Sequence, residues 1–360
     1  MDQLSRRSVL AGFGALAAGP GVLRLDEAPR KKVGWAILGL GSYAQNQIMP
    51  NFADCKEAEI VALVSGTPSK LERLGPKYGV DKALCYSYES MHKLVYNDQV
   101  DVVYVITPPS THRQFVEAAA KAGKHVVSEK PMAPTVADCQ AMIDACKKAK
   151  TTLQIGYRCH YEAHNLLAVS ICRKELGKLH SITSDHGFNM GRGQWRLDPK
   201  LAGGGSMMDI GIYALNALRY LSGEEPTAVS ATITNPPGDD RFYDGMEDTV
   251  EFHLTVKSGV KLTGTSGYSW QPGKNNFEVH GEKGVLRAEP ATYYSGHKMW
   301  REGKEIMVKA TNQFAAQIDH MSRVVRGEVS SLAPGEEGLR DIRIIQAIYQ
   351  SARTGRVVNL

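Results

Sequence analysis

The stretch that decides the fold is VGWAILGLGSYA, residues 33–44. Its first half is an apolar run typical of a buried parallel strand, and its second half has the spacing GxGxxA. The first glycine of this pattern permits a tight turn, the second lets a pyrophosphate approach the backbone, and the small third residue lets a helix pack on the strand. A strand before the glycines and a helix after them are the context that supports a dinucleotide site. Residues 33–52 therefore predict the opening strand, turn and helix of a Rossmann domain.

Outward from this stretch, strand-like and helix-like segments alternate. Further strands are predicted at EIVALV (59–64), ALCYSY (83–88), DVVYVIT (101–107), HVVSE (125–129) and TLQIGY (152–157). Helices are predicted near 89–96, after PPSTH up to residue 121, and over 135–149. Such alternation indicates an α/β fold with a doubly wound parallel sheet, whose ligands lie outside the carboxyl ends of the strands.

The chain length and the change of pattern predict two domains after a short leader. A chain of 360 residues is long for a single domain of about 150 residues. We expect a leader and linker over 1–30, an NADP-binding Rossmann domain over 31–154, and a substrate and oligomerisation domain over 155–360.

The residues after the second strand favour NADP over NAD. An NAD site presents an acid to the ribose about 20 residues after the glycines. Here the sequence is SGTPSKLER (65–73), with Ser65 in place of the acid and Lys70 and Arg73 close behind. A hydroxyl and two cations suit a 2′-phosphate. The alternative is that Ser65 only begins a turn and that both bases are solvated.

Two strand ends are expected to face the nicotinamide side of the crevice: Thr107-Pro108-Pro109 and Glu129-Lys130-Pro131. Both follow predicted parallel strands, and a proline stiffens each of them. The residues predicted to bind the cofactor are Gly39, Leu40, Gly41, Ser42, Tyr43, Ser65, Gly66, Lys70, Arg73, Thr107, Pro108, His112, Glu129 and Lys130.

Composition and spacing argue against several other classes of protein. The net charge of +5 is mild, and no basic cluster interleaved with aromatics indicates a nucleic-acid partner. Six cysteines without CxxC spacing do not suggest a disulfide framework. HYEAH (160–164) places two histidines four residues apart, but it lacks the HExxH arrangement and an evident third ligand. We therefore predict no metal and interpret these histidines as pocket or core residues.

The N-terminus carries a predicted export signal. SRRSVL (5–10) and the apolar stretch AGFGALAAG (11–19) match a twin-arginine signal and predict a periplasmic protein. The apolar stretch is shorter than the ~20 residues that a spanning helix needs, so no stable membrane insertion is expected. The alternative is a frayed amphipathic tail.

Together, several segments resemble the glucose–fructose oxidoreductase, or aldose oxidoreductase, branch of the Gfo/Idh/MocA oxidoreductase family. They are GLGSYA, EKP (129–131), IGYRCHYE (155–162), QWR (194–196), LAGGGSMMDIGIYALNALRYLSGEEP (201–226) and PGEEGLRDIRIIQAIYQSARTGRVVN (334–359). The resemblance implies a C-terminal α+β domain with an open, largely antiparallel sheet. The sequence agrees, with strand-like runs at 180–185, 228–234, 248–256, 260–270 and 276–281 and helices near 162–173, 205–221, 311–326 and 336–353.

The resemblance also implies catalytic roles for Lys130, Asp209 and Tyr213, with the tyrosine as acid/base. Asp209 and Tyr213 are four residues apart and so share one helix face. A free phenol is a poor base near neutrality. We expect the Lys130 cation to make Tyr213 a better base and to polarise the substrate oxygen. The glycines at 203–205 are expected to let a ligand approach the backbone closely.

Further side chains are assigned by the same motifs. Arg158, Trp195 and Arg196 are predicted to contact the cofactor or the sugar. Tyr157, His160, Tyr161 and Tyr268 are predicted to contact the sugar, although an aromatic core explains the tyrosines almost as well.

An export signal and a nucleotide site on one chain suggest a recycled cofactor. We expect tightly bound NADP that oxidises an aldose to an aldonolactone and reduces a second sugar, aldose or ketose, to an alditol. One alternative is a conventional NADP-dependent aldose dehydrogenase or reductase with exchangeable cofactor, and another is a sugar or nucleotide sensor without activity. A homodimer or homotetramer is expected.

Overall fold

The structure is a computed structural model and describes residues 31–360. The predicted export signal lies outside the described residues. Within the described part, no helix is both long enough and apolar enough to cross a bilayer.

The N-terminal half forms the predicted parallel sheet. Its strands are β1 (Val33–Leu38), β2 (Ala58–Val64), β3 (Cys85–Tyr86), β4 (Val102–Val105), β5 (His125–Ser128) and β6 (Leu153–Ile155). They pair in the order β3-β2-β1-β4-β5-β6, each neighbour parallel. The helices of this half are α1 (Pro68–Lys77), α2 (His112–Lys121) and α3 (Val136–Ala149). The strand order reverses between β1 and β4, which is where ligands of such sheets bind.

Two predicted helices of this half take a different form. The segment after the glycine turn is a π-helical turn, Ala44–Ile48, followed by a 3₁₀ segment, Met49–Asp54. Pro50 lies at the start of the second segment and has no amide hydrogen with which to continue the first. The helix predicted near 89–96 is a 3₁₀ segment, Met91–Tyr96.

The C-terminal half forms a nine-stranded sheet, as the fold prediction requires. Its strands are β7 (Leu179–Asn189), β8 (Ala228–Thr234), β9 (Thr249–Thr255), β10 (Lys261–Gly267), β11 (Ser269–Gly281), β12 (Gly284–Ala288), β13 (Met299–Arg301), β14 (Lys304–Glu305) and β15 (Val358–Asn359). They pair in the order β14-β13-β12-β11-β7-β10-β9-β8-β15. Only β7 and β10 pair in parallel, so the sheet is largely antiparallel. The short strands β12, β13, β14 and β15 were not predicted.

Helices cover one face of this sheet. The helices of this half are α4 (Ala163–Lys174), α5 (Pro199–Ala202), α6 (Ile212–Ser222), α7 (Gln313–Val325) and α8 (Gly335–Thr354). Of these, α6 packs on β7 and β10, and α8 packs on β8. Side chains along β9 alternate between buried and exposed, which is the pattern of a sheet with one covered face.

One C-terminal helix packs on the N-terminal sheet. Phe314, Ile318 and Met321 of α7 join the core cluster that contains Trp35 of β1. The Trp35 indole nitrogen donates a hydrogen bond to the Ser322 hydroxyl at 3.1 Å. Residues 32–360 thus form one compact unit, and the domain boundary at residue 154 stays a prediction.

Candidate active site

A cleft of about 1100 Å³ opens at the carboxyl ends of β1, β2, β4 and β5 and is closed on its other side by β7 and the residues before α6. This is the position expected for a ligand of a doubly wound sheet. The predicted site residues that line the cleft are Gly39, Leu40, Gly41, Ser42, Tyr43, Ser65, Gly66, Lys70, Thr107, Pro108, Glu129, Lys130, Arg158, Trp195, Arg196, Asp209 and Tyr213.

The glycine turn after β1 is shaped for close approach by a ligand. Gly39 has a φ of +92°, and a Cβ there would lie 2.3 Å from the carbonyl oxygen of Ile106. Gly41 has nothing within 4 Å of the position of a Cβ, so this side of its backbone borders open cleft. The second glycine therefore leaves room for something outside the protein, as a pyrophosphate site requires.

The end of β2 offers a hydroxyl and one cation to the cleft. Ser65 is buried, and its Oγ accepts a hydrogen bond from the Thr67 amide at 3.1 Å. Lys70 lines the cleft, whereas Arg73 does not. Arg73 donates instead to the Gln45 side-chain oxygen at 2.6 Å. Of the two predicted cations, Lys70 therefore faces the cleft and Arg73 does not. The Ser65 hydroxyl and this one cation still fit a phosphorylated ribose.

The opposite half of the cleft brings together the three predicted catalytic residues. Lys130 Nζ donates to the carbonyl oxygen of Asp209 at 2.5 Å and lies 3.2 Å from its Oδ1. The same nitrogen lies 4.6 Å from the centre of the Tyr213 ring. Burial by itself lowers the pKa of Lys130, but the neighbouring Tyr213 and Asp209 raise it above its usual value. The ammonium is therefore a fixed charge beside the phenol.

Asp209 is the anion around which these cations are arranged. Its Oδ2 lies 3.2 Å from Arg196 Nε and accepts a hydrogen bond from the Tyr268 hydroxyl at 2.9 Å. Burial opposes the charge of Asp209, but Lys130, Arg196 and the bond from Tyr268 prevail and lower its pKa to about 2. Asp209 is thus a carboxylate near neutral pH and orients Lys130 rather than supplying a proton.

Arg158 contacts the phenol oxygen itself. Its Nη2 lies 3.1 Å from the Tyr213 oxygen, and its guanidinium is buried. The carbonyl oxygen of Thr292, at 2.5 Å, and the Gln313 side-chain oxygen, at 2.7 Å, accept its other hydrogen bonds. Arg158 was predicted to contact the cofactor or the sugar. Its hydrogen bond to Tyr213 places it against the predicted acid/base group itself.

The backbone before α6 sets the direction of Asp209. Asp209 lies in a π-helical turn, Met207–Gly211, of a kind often found at functional sites. The buried Glu247 carboxylate accepts hydrogen bonds from the amides of Gly205 and Met207, at 2.8 and 3.0 Å. A Cβ on Gly205 would lie 2.1 Å from the Glu247 carbonyl oxygen. These glycines therefore admit protein packing, and the expected close approach of a ligand is not their role in this structure.

Two of the predicted sugar contacts lie in the core. Tyr268 is fully buried, so its ring has no face free for a sugar, and its role is the hydrogen bond to Asp209. Tyr161 is also buried, 5.1 Å from the His320 ring, and does not line the cleft.

The other two predicted sugar contacts, and one predicted cofactor contact, do not line the cleft. Tyr157 borders a cavity of about 10 Å³ on the far side of Tyr213. His160 Nε2 lies 2.7 Å from the Asn216 side-chain oxygen. His112, predicted to bind the cofactor, is buried with Nε2 2.8 Å from the carbonyl oxygen of Thr107. It holds that strand end in place from behind.

Sequence reasoning missed His186 and Tyr294, both of which line the cleft. The His186 ring lies 6.1 Å from the Tyr213 ring, and burial lowers its pKa to about 3, so it is neutral. Tyr294 stacks against Arg158, with 4.7 Å between the guanidinium carbon and the ring centre. His186 directly follows the strand predicted at 180–185. The alternation of side chains along β7 is the signal that could have placed it on the inner face of the sheet.

Comparisons with known proteins agree with this geometry. The description "Oxidoreductase family, NAD-binding Rossmann fold" matches residues 33–157, and "GFO/IDH/MocA C-terminal domain" matches residues 130–287. The chain is 30% identical to "D-xylose 1-dehydrogenase [NADP(+)]" of Haloarcula marismortui, over 91% of this chain and 93% of that one. A second relative, "D-xylose 1-dehydrogenase (NADP(+)) 2" of Haloferax volcanii, is 29% identical over 91% of this chain and 99% of its own.

A solved structure is more similar still. The aldose-aldose oxidoreductase from Caulobacter crescentus, complexed with glycerol, superposes with a TM-score of 0.89 and 48% identity. The match covers 92% of this chain and 100% of that one. With a switch-point cleft, a fixed ammonium beside a phenol and these relatives, the chain belongs to the Gfo/Idh/MocA oxidoreductase family.

Proposed function

We propose that this protein is an NADP-dependent sugar oxidoreductase that oxidises an aldose at C1 to the aldonolactone and reduces a second sugar to an alditol. The observation that carries the proposal is the convergence of Lys130, Arg158 and Tyr213 on one wall of the dinucleotide cleft. The 48% identity to a structure described as an aldose-aldose oxidoreductase supports two aldoses as the substrates.

The cleft divides naturally between nucleotide and sugar. Gly39, Gly41 and Ser42 would hold the pyrophosphate, and Ser65 and Lys70 would hold the phosphorylated ribose. Bound NADP supplies the hydride acceptor and donor of the reaction. The preference for NADP agrees with the names of the two D-xylose dehydrogenases.

The side chains of the chain itself manage the proton. Tyr213 takes the proton of the sugar hydroxyl as the aldose loses its hydride and returns a proton to the carbonyl oxygen of the second sugar. Lys130 and Arg158 stabilise the negative charge that the phenol oxygen carries before the first step and again after the second. Asp209 keeps Lys130 in place, and neutral His186 adds no competing charge nearby. Proton and hydride therefore balance over the two half-reactions.

The two half-reactions need no external nucleotide if NADP stays bound. An exported protein meets no cytosolic pool of nucleotide, so we propose that NADP binds before export. The twin-arginine pattern at 5–10 supports this, because that route carries folded proteins. We also propose a homodimer or homotetramer, which light scattering on the gel-filtered protein would measure.

The test is a nucleotide assay followed by a two-sugar incubation. Gel-filtered protein is denatured, and the released NADP is quantified per chain; we expect close to one equivalent. The same protein is then incubated with one aldose, or with an aldose and a second sugar, without added nucleotide. Equal amounts of lactone and alditol support the proposal. Protein that lacks nucleotide and stays inactive without added NADP contradicts it.

A second candidate is a conventional NADP-dependent aldose dehydrogenase. The two relatives named D-xylose 1-dehydrogenase favour it. It uses the same residues but releases the nucleotide at each turnover. Catalytic dependence on free NADP, with lactone formed and no alditol, would establish it.

A further inference from the structure

A cluster of three potential metal ligands lies outside the cleft. Glu162 Oε1 lies 2.9 Å from His164 Nδ1 and 3.7 Å from His297 Nδ1. The side chains of all three residues are less than 10% exposed. The two imidazole rings stack, with 5.6 Å between their centres. One ligand atom from each residue lies within 4.8 Å of the others.

The donor set and spacing suit a borderline transition-metal cation. Zinc binds imidazole nitrogen and carboxylate oxygen at about 2.0–2.2 Å, so tetrahedral donors stand roughly 3.3 Å apart. The two measured distances bracket this spacing. Oε1 of Glu162 faces the two histidines and is hydrogen-bonded to His164, whereas Oε2 accepts the hydrogen bonds from the Asn165 amide and side chain, both at 2.8 Å.

His297 has a ring nitrogen that no described residue satisfies. Its Nε2 is buried and has no hydrogen-bond partner within residues 31–360. Either nitrogen of a neutral imidazole can bind a metal, and a buried polar atom without a partner is one that a ligand could satisfy.

We propose that Glu162, His164 and His297 bind one divalent transition-metal cation of the Zn²⁺ type, with water as a fourth ligand. The cation takes the place of the hydrogen between His164 Nδ1 and Glu162 Oε1, and a neutral His164 ring then carries its proton on Nε2. The metal is structural and is separate from the redox chemistry of the cleft. The sequence expectation of no metal overlooked this set because it paired His164 with His160, while the third ligand comes from a distant loop.

The position of the site gives it a purpose. Glu162 and His164 stand at the start of α4, whereas His297 follows the loop that contains Thr292 and Tyr293. The carbonyl oxygens of those two residues accept hydrogen bonds from Arg158, at 2.5 and 3.0 Å. A cation would tie this loop to α4 and so stiffen the wall that holds Arg158 against Tyr213. The Arg158 charge also opposes the cation, so the affinity should be lower than for the same ligands alone.

The test uses full-length, tag-free protein treated with chelator. Co²⁺ is titrated in and followed by its visible absorption, which reports tetrahedral coordination, and Zn²⁺ binding is measured by calorimetry. We expect one equivalent of each metal per chain and a higher Tm with Zn²⁺.

Two variants and one control make the outcome decisive. His297→Gln and His164→Asn should each lose the visible bands and the Zn²⁺-dependent rise in Tm. The control is His280→Gln, since His280 pairs with Glu278 at 2.6 Å on the exposed surface; it should behave as wild type. No metal uptake by the wild type, or uptake that survives both cluster substitutions, would overturn the proposal. Circular dichroism of each variant separates lost binding from lost folding.

Discussion

The two halves of the cleft are built in opposite ways. The nucleotide half consists mainly of backbone and short side chains on the turns after β1 and β2, and the second glycine of the first turn borders open space. The redox half is a set of buried charges drawn from separate segments, with Lys130, Arg158 and Asp209 arranged around Tyr213. The first is shaped to receive a ligand, and the second is already satisfied within the protein.

The difference teaches where each kind of substitution should act. A change in the nucleotide half removes a contact to the ligand and leaves the fold unaffected. A change in the redox half removes one member of a buried charge network, so both chemistry and stability respond. The predictions below probe this contrast, beginning with the largest effect.

Replacing Tyr213 should separate chemistry from nucleotide binding most clearly. Tyr213→Phe removes the proton-transfer group, and we expect kcat to fall by about 10³-fold, within the range of general acid–base catalysis. Nucleotide content should not change. The matched control is Tyr161→Phe, because Tyr161 is buried outside the cleft and its hydroxyl has no hydrogen-bond partner in the described part of the chain. Sugar turnover that survives Tyr213→Phe would show that Tyr213 is not the proton-transfer group.

Removing the fixed ammonium should affect stability as well as rate. Lys130→Met leaves the buried Asp209 carboxylate with Arg196 as its remaining cation, and we expect a loss of about 3 kcal/mol in the free energy of unfolding. The double variant Lys130→Met/Asp209→Asn should recover part of that loss, because it also removes the orphaned charge. Urea unfolding measures both. A double variant that is no more stable than Lys130→Met would contradict this expectation.

The nucleotide half should respond in affinity alone. Lys70→Ala should weaken NADP binding about tenfold, equivalent to ~1.4 kcal/mol, and leave NAD binding unchanged. Arg73→Ala is the matched control, since Arg73 bonds Gln45 and does not line the cleft. Titration of nucleotide-free protein gives both constants. A larger effect from Arg73→Ala than from Lys70→Ala would show that Lys70 is not the cation that binds the 2′-phosphate.

The smallest expected effect is a pH dependence at His186. Its folded-state pKa of about 3 lies below the usual value near 6.5, so the unfolded chain takes up the proton first as the pH falls. His186 therefore contributes a stability loss that grows as the pH falls from about 6.5 toward 3. We expect His186→Asn to narrow the difference in unfolding free energy between pH 7 and pH 5.5 by about 1 kcal/mol. Parallel pH profiles for variant and wild type would contradict this.

The same contrast explains what the sequence predicts. The turn at 39–44 and the alternation of strands and helices are local patterns, and the parallel sheet follows from them. Lys130, Asp209 and Tyr213 came from family motifs, and the structure places them together. The prediction that the tyrosines at 161 and 268 contact the sugar was wrong, because the sequence pattern does not distinguish an aromatic residue in a core from one in a pocket. His186 and Tyr294 depend on how distant segments meet, which no local spacing records.

Short-range backbone chemistry also escaped prediction. Pro50 interrupts the helix after the glycine turn. The three glycines before α6 allow Glu247 and other parts of the protein to pack closely against their backbone. Arg73 has the right charge and spacing, yet it turns to Gln45. At the glycines and at Arg73, another part of the protein occupies the place of the expected ligand, and only the structure identifies that partner.

The packing of α7 on the first sheet bears on how the chain matures. Trp35 lies in the strand made first, whereas Phe314, Ile318 and Met321 leave the ribosome near the end of synthesis. Until these residues emerge, the apolar side chains of β1 that pack on α7 remain exposed to water and to chaperones. A truncated product ending before residue 313 should therefore be captured by quality control instead of accumulating as a half-enzyme. Nascent chains arrested at successive lengths would show when the indole becomes shielded from quenchers.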